Sequence, residues 1–526
     1  MTQRLIAKGF RRGRRIPTVA ALGAAAMLIA ACSNTSSNND SSGSGDTPKA
    51  GGTLRVMMSD EPTTTWDPVL TNATSVKAIV TTVMDTLTEV DLAGQITPSL
   101  AKSWEISADG VTYTFKLQTG VKFSNGSPFS SADVKYTIDR IKNTKGSVNA
   151  AQFAAINAVE TPSPDTAVLR LTEPDSSLLT TLAGYTAAMQ TPSAEATIGS
   201  SPVGTGMFAI SSIRKGIGVK LTAVKDSWRG APHLDGIDIS FNADANARVA
   251  ALKSRQIDFL YKAPSATLEV LEADKSYELY GRDGALAFQY LLVNTKRAPF
   301  SDDRVRRALF LALNNTKMSD LCLPGTSVPL KGGFLPPSHW AGADDPAFSE
   351  NIDEAKKLLA EAGYPNGFSF NLNTAPPSFT QHICTSQVIQ SQLKAVGVTV
   401  TVNVMEPAVI VPLNAKGEFD AIVFADGGSV DPNSSFEKLF VSSAGSNFVK
   451  YSSPKVDSLV KQAKATTDRA ERAKLFKEAQ KELSVTGPWY FTYIYQSLDA
   501  TSTKVKNFTW NGGVDYRTWR DIWLDS

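Results

Sequence analysis

The chain has 526 residues, of which 42% are hydrophobic, 20% charged and 9% aromatic, a globular composition long enough for two or three lobes. Its formal charge of +2 hides an asymmetry: Arg4, Lys8, Arg11, Arg12, Arg14 and Arg15 all precede Ile16, and residues 1–31 contain no acid. Without those bases the 51 acids outnumber what is left of the 53 Lys and Arg, a mildly acidic balance that offers no electrostatic case for binding nucleic acid.

The basic stretch leads into an apolar one through Val19, Ala20, Ala21, Leu22, Ala24, Met27, Leu28 and Ile29. That run is too short to span a bilayer comfortably, so residues 1–31 read as a secretion signal. Arginine pairs flank Gly13 and permit a twin-arginine route, but the residues after them do not continue that signal, which favours general secretion. The run ends in Ile29-Ala30-Ala31-Cys32, which resembles the bacterial lipobox; the resemblance implies acylation of Cys32 and cleavage before it. Residues 32–50 are mostly Ser, Asn, Gly, Asp and Thr, the composition of a flexible tether reaching roughly 20–25 Å. Two further cysteines, Cys322 and Cys384, fit either one disulfide in an oxidising compartment or two buried thiols.

In the folded part, residues 51–57 and 111–117 alternate apolar and polar side chains as half-buried strands do. Asn125-Gly126 supplies a turn, and Ser130 with Asp133 forms a capping box before a helix carrying Val134, Ile138 and Ile141 on one face. Strands are predicted at 237–241, 287–293 and 398–402. Helices are predicted after Asp302, with Val305, Ala308, Leu309, Ala312 and Leu313 inward, and from Asp353, with Ala355, Leu358, Leu359 and Ala362 inward and Gly363 at the stop. Ser453-Pro454 opens another, burying Val456, Leu459, Val460 and Ala463, and Asp468 with Glu471 opens the next before Leu475, Phe476, Ala479 and Leu483. Interspersed strands and helices without a repeat period indicate an α/β protein.

Several separated stretches occur in a telling order: Ser201-Pro202-Val203-Gly204-Thr205-Gly206-Met207-Phe208, then 226–235 around Trp228 and Leu234-Asp235, then 247–254 with Ile257-Asp258. Asn294-Thr295, Pro299-Phe300-Ser301-Asp302, residues 354–364 and 451–457 follow. Together they resemble the family 5 extracellular solute-binding proteins of bacterial ABC importers, the dipeptide, oligopeptide and nickel binders. The resemblance implies a two-lobed periplasmic-binding-protein-like (Venus flytrap) α/β fold with a subdomain inserted in lobe I. Lobe I is expected at about 51–96, 200–290 and 503–526, the insertion at 97–199 and lobe II at 291–502, with hinges near Asn294 and Leu498. Implied partners are a peptide or similar small solute, a permease with its ATPase, and a membrane reached through the lipid; the protein is expected to be monomeric, extracytoplasmic and without a cofactor.

Catalytic signatures are sparse. The three histidines, His233, His339 and His382, form no zinc-protease pattern, and neither a Gly-x-Ser-x-Gly elbow nor a Gly-Lys phosphate loop occurs. Binding candidates are therefore sought in loops. Gly204-Thr205-Gly206 suits close backbone approach to a solute or, equally, a tight turn. By resemblance, Trp66 falls in a loop at the cleft mouth, where it covers an apolar side chain of the ligand or, equally, packs against the lobe. Peptide binders of the family carry a Trp and an amine-pairing Asp shortly before an Asp-Pro; here Asp431-Pro432 is kept, Phe424 stands for the Trp, and Asp426 is the nearby acid, displaced by about two residues. If a loop insertion absorbs that shift, Asp426 is the expected ammonium anchor, with Phe424 and Ser429 beside it; if not, the ligand lacks a free amine. Alternatives are a glycoconjugate, opine or metal chelate as solute and, in another class, a secreted lipoprotein hydrolase.

Overall fold

The computed structural model describes residues 47–59, 65–71, 73–264, 267–281, 287–344, 349–375, 380–496, 498–511 and 515–525. The secretion-signal residues, Cys32 and nearly all of the tether lie outside them, and the folded body is the unit Pro48–Ser526.

Lobe I is built on a seven-stranded mixed sheet in the order Tyr277–Tyr280, Asp499–Ser502, Phe259–Leu260, Thr53–Met58, Gly236–Phe241, Gly218–Ala223, Phe208–Arg214. Thr53–Met58 runs parallel to both its neighbours, and the other pairs are antiparallel. Its alternate residues Leu54, Val56 and Met58 are fully buried under the helix Thr74–Val83, whose Val76, Ile79, Val80 and Val83 repeat at helical spacing. The insertion folds as a four-stranded antiparallel sheet, Ala101–Ile106, Thr112–Leu117, Thr166–Leu171, Ile156–Ser163, covered by the helix Ser131–Asn143 through Val134, Ile138 and Ile141. The Ser130 backbone N–H donates to Asp133 at 2.9 Å, half of the anticipated capping box.

Lobe II centres on a six-stranded sheet in the order Ser327–Pro329, Trp489–Tyr495, Phe288–Val293, Ala421–Asp426, Ser369–Thr374, Thr399–Val404. Every residue of Phe288–Val293 is buried, because helices cover both faces: Phe288, Tyr290 and Leu292 enter one core, Leu291 and Val293 the other. Helix starts follow the sequence at Asp302, Ser453 and Asp468, whose side chains accept from the N–H groups of Arg304 (2.9 Å), Val456 (3.3 Å) and Glu471 (2.9 Å). The helix Ile352–Glu361 starts earlier than predicted. Asn351, not Asp353, is the cap, accepting from Glu354 N–H at 3.1 Å, and the extra residue lets Ile352 pack on the core. A disulfide joins Cys322, ending the helix Asn315–Cys322, to Cys384 in Thr380–Leu393.

The chain passes between the sheets twice, after Tyr280 and after Tyr495. This corrects the expected boundaries: Phe288 is already hydrogen-bonded into lobe II, and Asp499–Ser502 is already in lobe I, where it pairs with two strands. It also moves one hinge. Asn294 lies inside lobe II, its side-chain amide donating to the Gly417 and Phe419 carbonyls at 2.9 and 2.8 Å. The first crossing runs through 282–286, outside the described residues. Leu498 does sit at the second, where its carbonyl accepts from Ala263 N–H at 2.7 Å.

Candidate functional site

The Gly204-Thr205-Gly206 turn presses against the end of the helix Thr74–Val83. A side chain at Gly204 would come within 2.1 Å of the Val83 carbonyl, and one at Gly206 within 2.8 Å of the Thr82 carbonyl, so both positions require glycine. Thr205 is 3% exposed, and its hydroxyl donates to Asp85 at 2.9 Å. Asp85 also accepts from Trp228 Nε1 at 3.0 Å and Arg229 Nε at 3.1 Å. Glu89 accepts from Ser99 at 2.8 Å, from Arg520 at 2.9 and 3.2 Å, and from Arg229. Burial alone would raise the Glu89 carboxyl, but Arg517, Arg229 and Arg520 outweigh it and hold it at about 2. The turn expected at a solute is thus tied into a charged knot that fastens the C-terminal strip to lobe I. Trp66 is packed in the lobe I core, 6% exposed, the second of its two expected settings.

The strand Ala421–Asp426 carries two of the other candidates, Phe424 and Asp426, both half-buried. Asp426, at its end, accepts from Lys438 Nζ and, at 3.2 Å, from the Gly428 N–H. Phe424 is half-buried with its ring 6.5 Å from those of Tyr290 and His382, and Ser429 is half-buried in the following loop. Burial, reinforced by Asp426, pushes the Tyr495 hydroxyl up to about 12, so it stays a neutral hydrogen-bonding group. Burial pushes the His382 imidazole down to about 4, so it is neutral as well. The kept Asp431-Pro432 is structural: Asp431 is buried, takes two 2.8 Å hydrogen bonds from Arg472 Nη2, and caps the helix Pro432–Ser435.

Groups from lobe I face these, and sequence reasoning missed them. Lys77 is the one charged residue of the helix Thr74–Val83, and its Nζ lies 4.8 Å from the Tyr185 ring centroid. Water still reaches the side chain, but both lobes flank it. Burial, then Lys438 and Lys262, push its ammonium down to about 8 against the opposing pull of Asp426. Lys77 and Lys262 belong to lobe I and Lys438 and Asp426 to lobe II, so charges from both lobes act on the Lys77 ammonium. Trp510 packs against the cores of both lobes. A lone charge in a helix otherwise made of apolar and hydroxyl residues was the available signal for Lys77; nothing in the sequence paired it with Lys438.

The inserted subdomain also meets lobe II. Ser176 N–H donates to the Lys464 carbonyl at 2.8 Å and its hydroxyl to the Ala463 carbonyl at 3.2 Å. Lys464 Nζ lies 2.9 Å from Glu437 and 3.6 Å from each of Glu173 and Asp175. Two surface cavities, of about 470 and 400 Å³, are lined by none of the facing groups. Among the described residues no group of three His, Cys, Asp or Glu side chains could hold a metal ion, and no helix is long and apolar enough to cross a membrane.

Two α/β lobes joined by two crossings, with charged and aromatic groups opposed across a cleft, define a two-lobed solute-binding protein. Residues 95–448 match the family described as bacterial extracellular solute-binding proteins, family 5. The glutathione-binding protein GsiB of Pectobacterium atrosepticum is 33% identical over 426 residues, 78% of this chain and 82% of that protein. Among solved structures, AgaA of A. tumefaciens R10 in complex with agropinic acid is 27% identical with a TM-score of 0.78, covering 90% of this chain and 99% of that one. The oligopeptide-binding protein AppA of Bacillus subtilis in complex with a nonapeptide is 25% identical with a TM-score of 0.77, covering 91% and 100%. The chain belongs to the family 5 bacterial extracellular solute-binding proteins. It is a solute-binding component of an ABC importer, working with permease and ATPase subunits, and not an enzyme.

Proposed function

We propose that this protein captures short peptides outside the cytoplasmic membrane, closes on them about the crossings after Tyr280 and Tyr495, and is held to the membrane as a monomer by a lipid on Cys32. The observation that carries the peptide reading is the opposition of Asp426 on lobe II to Lys77 on lobe I. An acid and a base facing each other across a closing cleft suit a solute bearing both an ammonium and a carboxylate. Phe424 and Tyr495 supply apolar wall, Tyr495 with a neutral hydroxyl, as a site tolerant of side chains requires. The relative named for glutathione binding and the AppA complex with a nonapeptide support that class.

Ligand needs only to favour the closed form by a few kcal/mol to decide between the two forms. Mass spectrometry of solutes released from the exported protein, followed by calorimetry with glutathione, tests the assignment. Recovery of peptides is the expected result; recovery of opines or glycoconjugates alone would replace the solute class while leaving the importer role intact. For the anchor, Cys32→Ala is expected to abolish incorporation of a palmitate analogue, and equal labelling of variant and wild type would remove the lipid.

A further inference from the structure

The charges that face each other across the cleft do not balance. Lys438 Nζ contacts Asp426, whose other oxygen takes the Gly428 N–H, so this carboxylate already has two donors. Lys77 Nζ lies over an aromatic face, the Tyr185 ring, whose hydroxyl donates to the Thr71 carbonyl at 2.6 Å. No carboxylate among the described residues makes an ion pair with Lys77, and Lys262 on the same lobe adds positive potential to it. A ring face attracts an ammonium more weakly than a carboxylate does and leaves its three N–H donors without oxygen acceptors. An ammonium enclosed in this way is a site for an anion that arrives with the solute.

We propose that the Lys77 ammonium, held over the Tyr185 ring and opposite the Asp426–Lys438 pair, is the docking point for a carboxylate of the bound solute. The solutes taken are then those with a free carboxyl group, zwitterionic or anionic, and esters and amides of the same skeleton are rejected. Lys438, 53% exposed, is free to swing into water when a ligand ammonium reaches Asp426, whereas Lys77 is half-buried over the Tyr185 ring. The carboxylate end therefore discriminates more sharply than the amine end. This deepens the peptide reading and rests on it only in placing the solute between the lobes.

The test is calorimetry on the exported protein and its Lys77→Met and Lys77→Arg variants with three probes: glutathione, glutathione diethyl ester, and gluconate as a non-peptide acid. Lys77→Met keeps the aliphatic stem, and its thermal unfolding is compared with wild type to show that the fold survives. Glutathione should bind the Met variant roughly 30-fold or more weakly, about 2 kcal/mol. The diethyl ester should bind both proteins equally weakly, and Lys77→Arg should restore most of the glutathione affinity. Equal losses for acid and ester, no loss for the acid, or no saturable binding of either acid by wild type would overturn the proposal. Gluconate bound in a Lys77-dependent manner without glutathione would sink the peptide reading while the carboxylate dock stands. Glutathione bound equally by wild type and the Met variant would do the reverse.

Discussion

Asp426 shows how a residue named from sequence acquires a different setting in three dimensions. It lies at the end of a central strand that begins with the apolar run Ala421 to Val423, and its pairing with Lys438, twelve residues on, could not be read from the sequence. The carboxylate is 12% exposed and its partner 53%, so a ligand ammonium can replace Lys438 at modest cost. Asp426→Asn keeps the shape and removes the charge. For a peptide with a free amino terminus we expect roughly 30-fold weaker binding, about 2 kcal/mol, below the ~3–5 kcal/mol typical of a fully buried pair because Lys438 is solvated. An N-acetylated peptide should bind both proteins alike, and undiminished binding of the free amine in a titration would remove Asp426 from the site. Thr205 illustrates the converse: its Gly-Thr-Gly setting was legible, but the partner of its hydroxyl, Asp85, is 120 residues away and could not be read from spacing.

At the level of elements, caps and apolar periods were the most legible features because they are local. The starts at Asp302, Ser453 and Asp468 each use one side chain and an N–H two or three residues on. The choice of Asn351 over Asp353 was not local, since it depends on Ile352 finding core to pack against. Contacts between elements distant in sequence were invisible, and the contact of the insertion with the helix Pro454–Ala465 is the consequential one. Opening the cleft must break the hydrogen bonds of Ser176 and separate Lys464, 15% exposed, from Glu173 and Asp175. Lys464→Met should therefore weaken solute binding about 3- to 10-fold, or ~1 kcal/mol, by faster release rather than slower capture, although the residue touches no proposed ligand group. Stopped-flow release rates unchanged from wild type would show that the contact does not hold the lobes together.

For the whole molecule, the sheets decide what belongs to which lobe. The strand Asp499–Ser502 returns to lobe I directly after the second crossing, and Asp499 is fully buried there, accepting from Lys262 N–H at 2.8 Å and Tyr516 Oη at 2.8 Å. Burial outweighs these bonds and pushes its carboxyl up to about 6. Between its ordinary value and about 6 the folded protein binds the proton more tightly than the unfolded chain does. Stability from this group is therefore present at low pH, is lost as pH rises through that window, and is flat above it. Asp499→Asn removes the dependence. Denaturant unfolding at pH 5 and pH 7.5 should show the wild type gaining on the variant by a few kcal/mol at most at the lower pH. A wild-type-minus-variant difference that is constant with pH would mean Asp499 titrates as it does in water.

By itself the sequence determined the α/β alternation and the local caps, and its ordered short motifs carried the resemblance to the family 5 solute-binding proteins; these depend on neighbours along the chain, where periodicity and composition act. Tertiary structure alone decided which residues meet. It placed Trp66 and Thr205 in packing, set the lobe boundaries by strand pairing at Phe288 and Asp499, joined Cys322 to Cys384, and brought Lys77 opposite Asp426 and Lys438. The physical reason is range: a helix cap costs and gains energy within one turn, whereas a cleft is an agreement between surfaces hundreds of residues apart, fixed by burial and charge only after both lobes have folded.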